Sequence, residues 1–201
     1  AGQPRGAQYM NVNWVGPVLM KYGTPDQIDR YLAPVRAGEA IWCQGFSEPS
    51  AGSDLAALRT APGPVEGGYR VNGAKIWTSY AGKADTCFLL ARVPASEGGA
   101  AGKGGIVILL TDMASPGIQV KQIPALVGEG DIHELFFDDV FVPSADRLGE
   151  EGQAWEIINF ALANERTGIA RYEFSRRILD RAVAKLKAEG RWADPVVQDR
   201  A

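Results

Sequence analysis

The sequence is poor in the residues that build metal and redox centres. Its 201 residues include one histidine, His133, and only two cysteines. A single histidine excludes every site that needs two imidazoles, such as the HExxH zinc motif, so no metal site is predicted. Cys43 and Cys87 are too far apart for a CxxC pair. We therefore expect two reduced, buried thiols in a cytoplasmic protein.

Long hydrophobic runs and an excess of positive charge are also missing. Net charge is −3, so no basic field would attract nucleic acid. The longest apolar stretches, such as Ile106–Leu110 and Ile157–Ala163, are too short or too interrupted to span a bilayer, and no signal peptide is visible. With 46% hydrophobic and 22% charged residues, the chain has the composition of a soluble globular protein.

Hydrophobic periodicity divides the chain into three zones. Residues 1–39 have a helical pattern, in which Thr24, Pro25 and Gln27 predict a capped helix start and Gly38 a helix end. Residues 40–148 have the pattern of short strands, and residues 149–201 return to a helical pattern. The second helical zone runs from about 152 to 189, and a further helix begins at Asp194-Pro195. We interpret the chain as a fragment in which a helical bundle begins.

The strand zone predicts the fold class. Asn72-Gly73 lies between β-prone runs and predicts a hairpin turn. The Gly-rich stretch Pro94–Gly105 predicts a surface loop. We expect an α+β fold with a central antiparallel domain, barrel-like or sandwich-like, flanked by helical segments. The predicted strands are Cys87–Val93, Gly105–Asp112, Ile118–Ile123 and His133–Val142.

Two glycine-rich segments do not match phosphate-binding motifs. Gly98–Gly104 has the wrong spacing and lacks a Ser or Thr after Lys103, which excludes a P-loop. Gly128–His133 lacks the third glycine of a dinucleotide fingerprint and leads into a strand.

Two other segments are more informative. In Trp42-Cys-Gln-Gly-Phe-Ser-Glu-Pro-Ser-Ala-Gly-Ser-Asp54, a strand is followed by a loop of small residues that lets a ligand approach the backbone. By itself this loop is equally consistent with an ordinary turn. Asn72-Gly-Ala-Lys-Ile-Trp-Thr-Ser79 brings an indole and two hydroxyls to the end of a strand.

Together the two segments resemble the signature of the acyl-CoA dehydrogenase family. That signature is a Thr/Ser-Glu-Pro-x-Ala-Gly-Ser-Asp run followed by Asn-Gly-x-Lys-x-Trp-x-Ser/Thr. The resemblance extends over nearly all of residues 15–190 and is strongest to a bacterial branch that carries Lys-Ile-Trp-Thr-Ser-Tyr. Further matching blocks are Tyr22-Gly-Thr-Pro25, Ala84-Asp85, Thr111 to Gly117, Phe136 to Pro143, and Leu148 to Gly152.

The resemblance implies that residues 40–148 form the middle β-domain, which faces the flavin of FAD. Residues 1–39 would end the N-terminal helical domain and residues 149–201 would begin the C-terminal helical bundle. The implied FAD contacts come from the two motifs, with Trp77 against the flavin ring, Ser79 at N5, and Gly52 and Ser53 beside the phosphates. Ser53 would also contact the acyl-CoA substrate. The full implied cofactor set is Gln44, Phe46, Ser47, Gly52, Ser53, Trp77, Thr78 and Ser79.

The implied reaction is α,β-dehydrogenation of an acyl-CoA thioester, in which a glutamate takes the α-proton and flavin N5 takes the β-hydride. Electron-transfer flavoprotein is the implied acceptor, and the implied assembly is a homo- or hetero-oligomer (a dimer of dimers). An acyl-CoA oxidase, a flavin monooxygenase of the same fold and a non-catalytic partner subunit remain alternatives.

Glu165 is the candidate catalytic base. It continues an apolar stripe on the predicted helix, and none of its neighbours three or four residues away carries a charge. An unpaired carboxylate on a buried face is costly unless it has a function or a distant partner. Most family members place this glutamate farther towards the C-terminus and a minority place it here. A structural glutamate paired with an arginine is the alternative.

Two features of the C-terminal zone weaken its link to the cofactor. Gly190–Pro195 lacks the Arg-x-x-Phe-Gly element through which many members reach the FAD of a neighbouring subunit. Glu173 with Arg177, and Arg176 with Asp180, are spaced as ion pairs on a solvated helix face. We expect the 201-residue chain alone to be inactive and to bind FAD weakly or not at all.

Overall fold

A computed structural model describes residues 10–93, 105–124, 132–150, 152–165 and 169–200. Most of the predicted loop at 94–105, with the glycine-rich segment inside it, lies outside these residues, as does most of Gly128–His133. The described residues divide into two compact units between Asn164 and Glu165.

The first unit begins with helices. A π-helical turn (Asn11–Val15) leads into α1 (Gly16–Tyr22), which is followed by α2 (Pro25–Ala37). The predicted capping box is confirmed: Gln27 N donates to Thr24 Oγ1, and Thr24 N donates to the Gln27 side chain. Gly38 ends α2 at a φ of 74°, a left-handed conformation that glycine adopts without strain.

Two four-stranded sheets follow. Their strands are β1 (Trp42–Gly45), β2 (Ala61–Val65), β3 (Gly68–Ser79), β4 (Thr86–Arg92), β5 (Ile106–Asp112), β6 (Ile118–Gln122), β7 (Ile132–Pro143) and β8 (Arg147–Leu148). The first sheet has the order β1-β4-β5-β8, in which only the β1–β4 pair is parallel; the second has the order β2-β3-β7-β6 and is antiparallel throughout. The α+β class is confirmed, and within the described residues the two sheets do not close into a barrel.

The predicted hairpin at Asn72-Gly73 is wrong. Both residues lie inside the 12-residue strand β3, and the chain turns between β2 and β3 at Glu66-Gly67 instead. The pairing of β3 with β7 shifts register between Val71 and Gly73, so the pair forms a β-bulge. Asn72 supports the bulge, because its side-chain oxygen accepts from Asp139 N at 2.9 Å.

Strand β4 is buried on both faces. Phe88 and Leu90 point towards the helices, into a core that includes Trp14, whereas Cys87 and Leu89 point towards the second sheet. The first unit therefore has three layers: helices, the first sheet and the second sheet. Both cysteines are free and buried between the two sheets, as predicted.

The described residues of the C-terminal zone form the α-helices α3 (Ala154–Glu165), α4 (Ile169–Ala188) and α5 (Pro195–Arg200), with a 3-10 turn (Arg191–Ala193) between the last two. Helix α3 packs Ile157, Ile158 and Ala161 into the helix-side core. The solvated face predicted on α4 is confirmed, since Arg177 pairs with Glu173 at 3.1 Å and Arg176 with Asp180 at 3.7 Å on exposed side chains.

Candidate functional site

The two motif segments lie side by side in the structure. Ile76 N donates a 2.9 Å hydrogen bond to Ser47 O, which joins the end of the first motif's strand to the last part of β3. Lys75 Nζ donates to Phe46 O at 3.1 Å. Segments about 30 residues apart in sequence thus form one continuous surface.

A buried ion pair lies beneath this surface. Lys75 Nζ is 2.8 Å from Glu48 Oε1, and the exposed fractions of the two side chains are 0% and 5%. The carboxylate also accepts from Thr60 N at 2.9 Å and from Arg59 N at 2.7 Å. Burial would raise the pKa of Glu48, but the Lys75 ammonium and the Thr60 hydrogen bond outweigh it and lower that pKa. Burial lowers the pKa of Lys75, and the Glu48 carboxylate partly offsets this.

Trp77 is the most prominent side chain at the site. The residue is 62% exposed, and its backbone φ is 61°, a left-handed conformation that is uncommon for a bulky residue. A second register shift between β3 and β7, between Lys75 and Thr78, accommodates this conformation. Exposed aromatic surface next to a strained backbone is a common feature of ligand sites.

The same two motif segments carry polar side chains that have no hydrogen-bond partner among the described residues. Ser47 follows β1, Gln44 lies within β1 and Ser79 ends β3, and all three are half-buried. Within the described part of the chain, no residue hydrogen-bonds to any of these three side chains. Their hydroxyl and amide groups are therefore available to a ligand.

Two residues of the predicted cofactor set point into the interior. Phe46 is 6% exposed, and its ring packs edge-on against Trp14 with centroids 6.1 Å apart. Thr78 is fully buried, and among the described residues its hydroxyl has no hydrogen-bond partner. Direct contacts of these two side chains with a flavin stay predictions.

The small-residue loop of the first motif is tightly closed and open to solvent. Glu48 and Ala51 exchange two backbone hydrogen bonds of 2.8 and 3.1 Å across Pro49 and Ser50. Beyond this turn Gly52 and Ser53 are exposed, and a Cβ at Gly52 would meet no atom within 4 Å. The loop can therefore receive an extended polar group against its backbone.

Glu165 is the last residue of α3 and is half-buried. No described residue forms an ion pair or hydrogen bond with its carboxylate. The role of Glu165 as a base stays a prediction.

The pairing of Glu48 with Lys75 is not predicted from the sequence. One signal points to the burial of Lys75: it lies four residues after Val71, so a strand's alternation places both on the inner face of the sheet. A lysine at an inward position requires a carboxylate partner. The first motif contains Glu48 as the only acidic residue before Asp54.

Known proteins are similar to this chain in sequence and in fold. Residues 43–140 match the family model for the acyl-CoA dehydrogenase middle domain. The acyl-CoA dehydrogenase FadE34 of Mycobacterium tuberculosis is 41% identical over 157 residues, which cover 78% of this chain and 22% of FadE34. IpdE1 of the same organism, also an acyl-CoA dehydrogenase, is 32% identical over 202 residues, covering all of this chain and 52% of IpdE1.

Solved structures agree with the sequence relatives. The Tcur3481-Tcur3483 steroid ACAD superposes with a TM-score of 0.84 at 32% identity, over 96% of this chain and 49% of that one. An FAD complex of PigA superposes with a TM-score of 0.68 at 29% identity, over 75% of this chain and 39% of that one. The chain belongs to the acyl-CoA dehydrogenase family and contains its middle domain.

The chain spans about half or less of the length of these relatives. The relatives are oxidoreductases by name. Among the helices in the described ranges, none combines the length and apolar character that crossing a bilayer requires.

Proposed function

We propose that this chain supplies the flavin-facing surface of an FAD-dependent enzyme that dehydrogenates an acyl-CoA thioester between its α and β carbons. The observation that carries the proposal is the exposed Trp77, with the unbonded hydroxyl of Ser79 two residues further along β3 and that of Ser47 on the segment that bonds to the neighbouring Ile76. A flat aromatic ring system with hydrogen-bond acceptors along one edge matches this arrangement of indole and donors. The FAD complex of PigA, at 29% identity, supports the choice of cofactor.

The residues present fit FAD. Trp77 would cover one face of the ring and exclude water from it, and Ser79, Ser47 and Gln44 would donate along the ring edge. Gly52 and Ser53 would lie beside the phosphates and the acyl-CoA, where the open backbone leaves room for them. Bound FAD supplies the hydride acceptor of the reaction.

Glu165 is our proposed general base. A half-buried carboxylate with no partner among the described residues is free to accept a proton from the α-carbon of a thioester. Electron-transfer flavoprotein is the proposed acceptor, and the assembly is proposed to be a homo- or hetero-oligomer (a dimer of dimers). The two-component name of the Tcur3481-Tcur3483 steroid ACAD makes the hetero-oligomer worth testing first, and makes steroid-derived acyl-CoAs the first substrates to assay.

The cofactor proposal is tested in the full-length protein with its partner subunit, where one exists. Ser79→Ala should lower turnover by about 100-fold, because a fixed donor at the flavin edge is lost. Ser175→Ala on α4 is the control and should change nothing. Flavin content is measured by visible absorbance and turnover by reduction of a dye. A wild-type protein that binds no flavin would contradict the proposal.

The acceptor decides between the proposed dehydrogenase and the oxidase and monooxygenase alternatives. Dye or electron-transfer flavoprotein should be reduced by acyl-CoA without release of peroxide. Peroxide formed in proportion to substrate identifies an oxidase instead, and oxygen insertion into the substrate identifies a monooxygenase.

The base is tested by Glu165→Gln. Turnover should fall by at least about 100-fold while the flavin stays bound, because proton abstraction is lost and the side-chain shape is kept. Glu156→Gln on the same helix is the matched control, since Glu156 is exposed and accepts a hydrogen bond from Tyr22 at 2.8 Å. Unchanged turnover in Glu165→Gln would assign the base elsewhere. Flavin binding with no turnover in any assembly would favour the non-catalytic partner subunit.

A further inference from the structure

The buried ion pair of Glu48 and Lys75 joins the two motif segments at the point where each carries a cofactor-facing residue. We propose that this pair is a positioning device that holds Trp77 in its strained, outward conformation and so sets the orientation of the indole for the proposed function. The inference rests on the proposed function only for its catalytic consequence. The effect on the orientation of Trp77 does not depend on the proposed function.

Glu48 is the fixed end of the device. Its two carboxylate oxygens accept from Arg59 N at 2.7 Å and Thr60 N at 2.9 Å, immediately before β2. Its own backbone N–H and C=O are bonded to Ala51. The carboxylate therefore cannot shift without breaking contacts on three sides.

Lys75 is the end that reaches β3. Its ammonium donates to Glu48 Oε1 at 2.8 Å and to Phe46 O at 3.1 Å, and the next residue, Ile76, donates from its backbone to Ser47 O at 2.9 Å. Trp77 follows directly at a φ of 61°. The bonds on Lys75 and Ile76 thus fix the backbone on the N-terminal side of the strained residue.

The β-bulge makes such a tether necessary. The ladder between β3 and β7 pairs Lys75 with Leu135 and Thr78 with His133, so Ile76 and Trp77 have no register partner on β7. Ordinary sheet pairing therefore does not hold Trp77, and a bulky residue relaxes from a left-handed φ unless its surroundings prevent it. The contacts to the first motif replace the missing ladder contacts.

Stability alone does not account for an ion pair at this position. Well-packed apolar side chains of similar volume commonly serve as well as a buried ion pair, whereas the pair adds directional bonds. Here those bonds run to Phe46 O, Thr60 N and Arg59 N, which are all fixed backbone atoms. The pair therefore fixes the position of Trp77 relative to the first motif segment.

The test uses the full-length protein with Lys75→Met, Glu48→Gln and the double variant Glu48→Met with Lys75→Met. Arg70→Met is the control, because Arg70 lies on the same strand and forms an exposed ion pair with Asp139 at 3.3 Å. Acrylamide quenching of tryptophan fluorescence is measured without flavin. Each protein is compared with the same protein carrying Trp77→Phe, and the difference reports Trp77 alone.

We expect quenching of Trp77 to change in both single variants and in the double variant, and to stay at the wild-type value in Arg70→Met. With flavin bound, kcat should fall about 10-fold or more in the same three variants, with KM within about threefold of wild type, because orientation is lost and substrate binding is kept. The double variant leaves no unpaired buried charge, so it provides a folded protein if a single variant does not fold.

Wild-type Trp77 quenching in the double variant, or in a folded single variant, would overturn the proposal and leave the pair a purely structural feature. Altered quenching with unchanged kcat would overturn the catalytic consequence. If the protein binds no flavin, the proposed function fails, while the quenching of Trp77 still decides whether the pair positions it.

Discussion

At the scale of single residues, Thr78 stands out between two outward-facing neighbours. Its side chain is fully buried, and its hydroxyl is one of two buried side-chain polar atoms without a hydrogen-bond partner in the described part of the chain. Its carbonyl is 3.4 Å from His133 Nδ1, so its backbone is held. The hydroxyl itself therefore contributes a desolvation cost without a compensating bond.

Thr78→Val should stabilise the protein by about 1 kcal/mol, because the replacement keeps the shape and removes the unpaired hydroxyl. The measurement is the free energy of unfolding in urea. Thr111→Val is the matched control, as Thr111 is equally buried but its hydroxyl donates to Leu109 O at 3.5 Å. A loss of stability in Thr78→Val would mean that the hydroxyl has a partner.

Glu48 makes stability depend on acid pH. The Lys75 ammonium and the hydrogen bond from Thr60 outweigh burial and lower the pKa of Glu48 below its ordinary 4.5. The unfolded chain therefore binds the proton more tightly, and this contribution is present above pH 4.5 and is lost as the pH falls through the folded-state pKa. Unfolding free energies measured from neutral pH to about pH 3 should fall less steeply in Glu48→Gln. If the unfolding free energies of the wild type and Glu48→Gln fell in parallel with pH, Glu48 would not be the source of this pH dependence.

At the scale of elements, strand β3 contains both register shifts with β7 and the exposed Trp77. Its pairing with β7 shifts register between Val71 and Gly73 and again between Lys75 and Thr78, and the second shift leaves Trp77 without a partner on β7. On its other side, Gly73 lies close to Thr60, which precedes β2. An added Cβ at Gly73 would lie 2.8 Å from Thr60 Cα at a backbone φ of 151°. Glycine is therefore required there by a close approach of two backbones.

Gly73→Ala should destabilise the protein by about 1–3 kcal/mol, because the methyl group displaces Thr60 and strains the backbone. Gly67→Ala is the matched control, since Gly67 also has a positive φ, of 77°, but a Cβ there would meet no atom within 4 Å. Thermal unfolding of both variants is the measurement. The loss of stability in Gly67→Ala reports backbone strain alone, and any further loss in Gly73→Ala reports the clash with Thr60. Equal losses in the two variants would exclude a role for Thr60.

Element types are predicted well where a local signal is sufficient. The capping box at Thr24 and Gln27 satisfies its own helix start, so α2 is readable from a few residues. Asn72-Gly73 shows the opposite case, because the same dipeptide that favours a tight turn also suits a bulge. Pairing with β7, which is distant in sequence, decides between the two.

At the scale of the whole molecule, β4 connects the two cores of the first unit. Phe88 contributes to the core between the first sheet and the helices, and Leu89 to the core between the two sheets. Both side chains are fully buried. Loss of either side chain therefore affects a layer that both cores share.

Phe88→Ala and Leu89→Ala should each destabilise the first unit by about 2–5 kcal/mol, because a large buried side chain is lost. Each should still unfold in a single transition, with coincident curves from tryptophan fluorescence and far-UV circular dichroism. Phe141→Ala, on a 40% exposed side chain, is the control and should cost much less. Separate transitions in the core variants would show that the two cores fold independently.

Some features of the candidate site can be predicted from local sequence, whereas others depend on tertiary contacts. The motifs identify Trp77, Ser79 and Ser47 because short ordered strings of residue types are visible in sequence. The exposure of Trp77 depends on the register shift of β3 before Thr78, and the burial of Phe46 depends on its packing against Trp14. The cytoplasmic location and the domain boundaries at 39 and 148 stay predictions.

The sequence by itself determined the family and the succession of a helical zone, a strand zone and a second helical zone, and it singled out the two motif segments, because these depend on local pattern and residue identity. Only the tertiary structure decided that Glu48 and Lys75 pair in the interior and that Trp77 is held outward in a left-handed conformation. Both features arise from contacts between segments far apart in the chain. Such contacts depend on strand register and layer packing, which no short stretch of sequence specifies.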